Sequence, residues 1–323
     1  MKLEVKHSVF HPNLFSISQM SLEESDMYDW RVQALMTWID KNKRDEKISM
    51  EVLSKAGHLD QYHYLGLACN DEVVRILGLG QGVRVLDVGC GIGGPARYLA
   101  WKSGCEVVGV DIQQQLVDAG NKVTCLVGLQ DRVELISADV CDIQISNQFD
   151  AFISLLVILH IPNRDKLFSS LFSHLKSGGG FLIEDMVALA PFDPEEARIA
   201  REVIGAPYLP TIDQYRTDLE LAGFVDVEFE QLTSEWSQWC VDRSDQYTAF
   251  KEAQIATYGE KIFEQRSSFY ADVKRLFLSQ KLGGVRVTGR KPTDVEKAIR
   301  LHRHKRGTQQ QSGGSSAASI LEH

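Results

Sequence analysis

Three acidic residues carry the first chemical signal in this 323-residue chain: Asp87, Asp111 and Asp139. Each ends a run of β-branched and aliphatic residues, and Asp87 leads straight into a glycine turn, "VLDVGCGIGGPARYLA". Val83, Val85, Leu86 and Val88 read as a strand that stops at Gly89. Pro95 suits a first helical position, where its missing N–H is no loss, and Ala96, Tyr98, Leu99 and Ala100 continue the helix. Strand, glycine turn and helix N-terminus together offer unpaired N–H groups to a ligand that the backbone can approach closely. Gly89, Gly91 and Gly94 fit the dinucleotide spacing G-x-G-x-x-G. Asp87 argues against that reading, because a carboxylate at the strand end repels a pyrophosphate and attracts a cation. Asp111 closes a second strand, "CEVVGVDIQ", where a carboxylate accepts hydrogen bonds from both hydroxyls of a ribose. Asp139 closes a third, "RVELISADVCD".

Asp87, Gly89, Gly91 and Gly93 resemble the first motif of the class I S-adenosylmethionine-dependent methyltransferases, an acidic residue followed by G-x-G-x-G. The resemblance implies S-adenosylmethionine as cofactor and S-adenosylhomocysteine as product, and gives Asp139 the adenine amino group to read. It places Cys90, Ile112, Val140 and Leu155 among the cofactor contacts and implies no metal. An oxidoreductase using a dinucleotide, or a non-catalytic cofactor-binding module, are the rival classes.

The resemblance narrows over residues 58–292. "HLDQYHYLG", "DVGCGIGGPARYLA" and "KLGGVRVTGRKP" are similar to the sarcosine/dimethylglycine, tocopherol and sterol methyltransferases. "ILHIPNRDKLF" and "SEWSQWC" are similar to the phosphoethanolamine methyltransferases, whose catalytic histidine His160 matches. That family carries an Arg-Asp pair before the histidine, and here Leu155 and Leu156 stand there, which argues against a phosphate on the acceptor. No N-P-P-Y-like tetrapeptide follows the fourth strand, against methylation of a nucleic-acid base. The acceptor implied is a small amine, with His160 as its base. A carbon or oxygen acceptor, such as a quinone, phenol or sterol, is the alternative. Tyr28, Trp30, Tyr62, His63, Tyr64, Asp185, Tyr208, Trp236 and Trp239 are candidates to line or cover the acceptor, since aromatic faces suit methylated ammonium groups.

The elements that must position these residues follow from the hydropathy pattern. Strand-like runs at 83–89, 105–111, 132–138, 149–157 and 180–185 alternate with helical ones, which predicts a Rossmann-like, doubly wound, mostly parallel sheet. "LKSGGGFLIED" reads as a glycine-terminated helix and then the fifth strand. "VDVEFEQL" and an antiparallel "VRVTGRKP" complete the sheet, with a helical insertion over 234–282 between them. Residues 1–80 form a helical cap with Trp30, Ala34 and Trp38 on one helix face, 81–292 the methyltransferase domain, and 293–323 a basic, then low-complexity tail. The segment from Asp60 to Gly66 is expected to close over the cofactor.

A net charge of −9 argues against a nucleic-acid partner, and 44% hydrophobic residues supply an ample core. The six cysteines form no C-x-x-C pair, and reduced thiols are expected. The opening "MKLEVKHSVFHPNLF" lacks the apolar core of a signal peptide, and the run "AFISLLVILHI" is too short to span a bilayer. A cytoplasmic monomer or homodimer with no membrane partner is the expectation.

Overall fold

The computed structural model describes residues 22–146 and 148–297. Its centre is one seven-stranded sheet in the order β3-β2-β1-β4-β5-β7-β6. The strands are β1 (Arg84–Val88), β2 (Glu106–Asp111), β3 (Val133–Ser137), β4 (Phe149–Leu155), β5 (Leu175–Ala188), β6 (Val225–Gln231) and β7 (Leu282–Arg290). The first five pair in parallel, while β7 runs antiparallel between β5 and β6. Chain order reverses at β1, whose neighbours are β2 on one side and β4 on the other. The crevice beyond the C-terminal strand ends at such a reversal is where open α/β sheets bind ligands.

Both faces of the sheet are covered, which is why the central strands are apolar on both sides. On one face Leu86, Phe152, Phe181 and Ile183 pack with Phe168 and Leu171 of helix Arg164–His174 and Tyr215 and Leu219 of helix Ile212–Leu221. On the other, Val85, Ile153 and Leu182 pack with Cys69 and Val73 of helix Leu67–Leu77 and Ala96 and Leu99 of helix Gly94–Ser103. Thr211 caps its helix as the sequence suggests, in a reciprocal bond pair with Gln214.

One local expectation changes. Helix Arg164–His174 ends into extended backbone at Leu175, and the glycines of "LKSGGG" lie inside β5, where the pairing register slips between Phe149 and Ala151. Gly178, at φ +81°, belongs to that bulge rather than to a helix cap. In helix Leu22–Asn42, among the residues described from 31 on, Ala34, Leu35 and Ile39 are buried and Trp38 is half-buried. Leu35 and Ile39, at i and i+4, pack with Ala119 and Val123 of helix Gln114–Leu126, and Trp38 borders the same cluster. The side chains of Tyr28 and Trp30 lie outside the described residues, as does the tail from residue 298.

Between β6 and β7 the chain forms three helices, Thr233–Ala249, Lys251–Tyr258 and Glu260–Leu278. Trp236, Cys240, Val273 and Phe277 from the first and third form a core with Tyr64, Leu159 and Met186. The insertion therefore packs at the C-terminal end of the sheet, beside the loop that follows β4. No helix among the described residues is long and apolar enough to cross a membrane. All six cysteines are free; Cys125 is exposed, Cys141 half-buried and the other four buried.

Candidate active site

The glycine turn between β1 and helix Gly94–Ser103 holds Gly89, Gly91 and Gly93 at φ +67°, +52° and +78°, the left-handed region that side chains resist. The turn is also too crowded for a methyl group at its two ends. A Cβ on Gly89 would lie 2.2 Å from Val157 of the loop after β4, and one on Gly94 would lie 1.7 Å from the Asp60 carbonyl oxygen. Glycine thus lets three chain segments meet at the mouth of the sheet.

Asp111 holds the turn closed. Its carboxylate accepts the Gly91 N–H at 2.8 Å and, through the other oxygen, the Gln113 N–H at 2.9 Å. Each oxygen keeps a second lone pair. Asp87 lies deeper, 2% exposed, and its Oδ2 is buried with no hydrogen-bond partner. Burial, reinforced by the nearby Asp111, pushes its carboxyl up to about 7. A buried carboxylate oxygen left unmatched at a ligand crevice is suited to a cationic group. Asp139 follows β3 at the surface, and its Oδ1 accepts the Cys141 N–H at 2.8 Å. Ile112 is 62% exposed at the crevice mouth, while Val140 and Leu155 are buried. Cys90 is buried beneath Gly109, and burial followed by the charges of Asp87 and Asp111 drives its thiol well up, so it packs as a thiol.

After β4 the backbone turns sharply. Leu156 takes φ +59° and donates its N–H to the Glu184 carbonyl at 2.8 Å. A short helix, Ile158–His160, then presents His160 at the surface. His160 Nδ1 lies 2.9 Å from the Gly205 carbonyl. A carbonyl only accepts, so Nδ1 carries the proton and, in the neutral ring, Nε2 carries the lone pair. Burial raises Asp111 and the His160 charge lowers it, which places the ring within electrostatic reach of the glycine turn.

The remaining candidates divide. Tyr62 lies over the turn, with Cδ2 3.7 Å from a Cβ position on Gly91. Tyr64 meets Trp236 edge-on at 4.7 Å and Trp239 at 4.8 Å, tying the segment before the sheet to the insertion. Tyr208 is exposed in the loop that also supplies Gly205. His63 and Asp185 are placed elsewhere than at an open acceptor surface. His63 is buried, bonds the Gly66 carbonyl at 3.0 Å and is held down near 4 by burial. Asp185 is wholly buried and accepts from the Met186 N–H and the Tyr215 hydroxyl; burial raises it to about 7. Its link to the site is indirect, through the backbone of Leu159 next to His160.

Two features of the site escape sequence reading. Arg97 reads as an ordinary helix arginine, yet it is buried and bonds Asp60, Ile92 and Gly120. Asn70 and Gln61 extend that network at 2.8 Å. Only the apolar residues on both sides of Arg97 hint at its burial.

The fold is a Rossmann-like α/β sheet, mostly parallel with an antiparallel seventh strand, like that of the methyltransferase structures it resembles. Residues 86–183 match the family model described as a methyltransferase domain. Over this segment the chain is similar to the class I S-adenosylmethionine-dependent methyltransferases. It is 33% identical over 201 residues to phosphoethanolamine N-methyltransferase 1 of Arabidopsis thaliana, covering 62% of this chain and 40% of that one. It is 30% identical over 162 residues to a sterol 24-C-methyltransferase of Saccharomyces cerevisiae, covering 48% and 42%. The chain thus spans about two fifths of the length of these curated relatives. Among solved structures, phosphoethanolamine N-methyltransferase 2 of Haemonchus contortus, in complex with phosphomonomethylethanolamine and S-adenosylhomocysteine, superposes with a TM-score of 0.64 at 26% identity, covering 71% of this chain and 53% of that one.

Proposed function

We propose that this protein transfers the methyl group of S-adenosylmethionine to a small-molecule amine, as an N-methyltransferase of the sarcosine/dimethylglycine-like kind. The observation that carries the reading is Asp87: a buried carboxylate oxygen without a partner, beside the glycine turn. In this reading Asp87 faces the ammonium of the cofactor's amino-acid end, and Gly89, Cys90, Gly91 and Gly93 line it. Asp111 takes the ribose hydroxyls with its spare lone pairs, and Asp139 with Val140, Ile112 and Leu155 enclose the adenine.

Bound there, the cofactor supplies an electrophilic methyl carbon on a sulfonium, a good leaving group. What the chain must add is alignment and a dry pocket, worth several kcal/mol of barrier. An amine acceptor must also arrive unprotonated. His160, with Nδ1–H anchored on Gly205, presents Nε2 as the base that takes its proton. The described helical segment before the sheet and the insertion 234–282 form the cover, with Tyr62, Tyr64, Trp236 and Trp239 as its aromatic lining. The protein acts in the cytoplasm, consistent with its free cysteines, as a monomer or homodimer, and needs neither nucleic acid nor membrane.

The sterol 24-C-methyltransferase relatives favour a second reading, methyl transfer to carbon, with an oxygen acceptor its close variant. A product-detecting assay separates them. Amines, phenols, quinones and sterols are offered with S-adenosylmethionine, and the methylated atom is identified by mass spectrometry. Methylation confined to carbon or oxygen overturns the amine reading; cofactor binding without turnover of any acceptor overturns the enzymatic one.

A further inference from the structure

His160 and Gly205 stand 45 residues apart in the chain, and the ring Nδ1 of one lies 2.9 Å from the carbonyl oxygen of the other. Gly205 has φ +76°, a backbone that side chains resist. A Cβ there would lie 3.3 Å from the same Nδ1 and 3.6 Å from Cε1 of the ring. Glycine is therefore required twice, by the backbone and by the closeness of the imidazole. The neighbours of the two residues pack together as well: Leu159 and Ala206 share one buried cluster with Ile199 and Trp236.

The Gly205 carbonyl is delivered by an uncommon turn. Ile199–Val203 is a π-helix, in which the Ile204 N–H bonds the Ile199 carbonyl at 3.0 Å, and the Ala206 N–H follows on the Ala200 carbonyl at 2.9 Å. Such turns are rare and concentrate at functional sites. Rewound as an α-turn, the segment would pair the Ile199 carbonyl with the Val203 N–H and swing the chain beyond it by about 100°. The Gly205 carbonyl would then leave the ring. Both ends of the segment are fixed. Before the π-turn, Glu196 pairs with Lys281 at 2.6 Å, where the insertion joins β7. After it, the Pro210 carbonyl accepts the Ala188 N–H at the end of β5, at 2.9 Å.

We propose that Gly205 is a positioning residue for His160: its carbonyl, set by the π-turn Ile199–Val203, keeps the ring proton on Nδ1 and leaves Nε2 as the basic nitrogen. This rests on the reading of His160 as the base and deepens it. A neutral histidine side chain in water carries its proton mainly on Nε2, the wrong tautomer for a base that acts through Nε2. A fixed acceptor at Nδ1 reverses that preference, because the bond made by one ring nitrogen decides the state of the other. The turn also couples chemistry to the cover. Through Glu196 and Ile199 it is seated on the insertion, so the insertion helps to set where the carbonyl stands.

The test reads the ring itself. NMR of protein with isotope-labelled histidine rings, in complex with S-adenosylhomocysteine and at a pH where the ring is neutral, reports which nitrogen carries the proton; His160→Gln identifies the His160 signals. The native protein is expected to show the proton on Nδ1. In Gly205→Ala it is expected to move largely to Nε2, while affinity for S-adenosylhomocysteine stays within about twofold and kcat falls by about tenfold or more with little change in KM. A native ring protonated on Nε2 overturns the proposal. So does an unchanged tautomer in Gly205→Ala, whatever the rate. If Gly205→Ala does not fold, the native spectrum decides alone. A shifted tautomer with an unchanged rate upholds the role of Gly205 and removes His160 as the base, so the two readings fail separately.

Discussion

The Arg97 guanidinium bonds the Asp60 carboxylate at 2.5 Å with neither side chain reaching solvent. The pair joins the segment before Tyr62 to the helix that follows the glycine turn. Arg97 adds bonds to the Ile92 and Gly120 carbonyls, so its charge is held by the backbone of the cofactor domain as well. Breaking such a pair strands the remaining charge. Asp60→Ala is expected to lower stability by about 3–5 kcal/mol in urea unfolding. The double variant Asp60→Leu/Arg97→Met is expected to recover most of the loss. A single variant within about 1 kcal/mol of the parent means that Arg97 is satisfied without Asp60.

Gly94 tests the same junction sterically. Its φ is not in the left-handed region, so only space opposes a side chain there, and the obstacle is the Asp60 backbone rather than a flexible tip. Gly94→Ala must push Asp60 and Tyr62 outward. We expect a fall of at least tenfold in S-adenosylhomocysteine affinity by calorimetry, with the sheet still folded by circular dichroism. Unchanged affinity means that Tyr62 takes no part in covering the cofactor.

Asp87 sets a pH dependence. Its carboxyl is raised from the ordinary 3.8 to about 7 in the folded chain. Between these values the folded state holds a proton that the unfolded state has lost. The ligand-free protein therefore loses stability as pH rises from about 4 to about 7. Asp185, also raised to about 7, contributes in the same sense. Asp87→Asn is expected to flatten part of that slope in denaturant titrations across this range. A cofactor ammonium reverses the preference and favours the ionised carboxylate. Binding near pH 6 is thus expected to release a proton, seen as a buffer-dependent binding enthalpy that Asp87→Asn removes. A steeper slope in Asp87→Asn contradicts the assignment.

Asp111 and His160 separate binding from chemistry. Asp111→Ala removes acceptors for the Gly91 and Gln113 N–H groups as well as for the ribose. It is expected to weaken cofactor binding by about 1–3 kcal/mol. His160→Ala is expected to leave cofactor affinity intact and to lower kcat by about 10²–10⁴. A fall of less than tenfold in kcat rules out general-base catalysis by His160.

The strand, glycine turn and helix of the first βα unit were legible because their signals are local. An acid, a glycine turn and a helix start within one short stretch specify strand, turn and helix without reference to the rest of the chain, and Asp111 ends its strand as alternation requires. The glycines of "LKSGGG" misled because a helix cap and a β-bulge use the same residue for the same left-handed backbone, and only pairing with β4 separates them. Trp38 packs at the margin of the core that Leu35 and Ile39 form, half-buried on its helix.

The sequence by itself determined the parallel α/β core, the glycine turn and the three acids at strand ends, since each rests on contacts between near neighbours in the chain. Only the tertiary structure decided which polar residues are buried and what they face. Arg97 against Asp60 and Asp185 against Tyr215 are each separated by tens of residues. The physical reason is that a charge becomes decisive when water is removed from it, and desolvation depends on how distant helices pack, which no local pattern records.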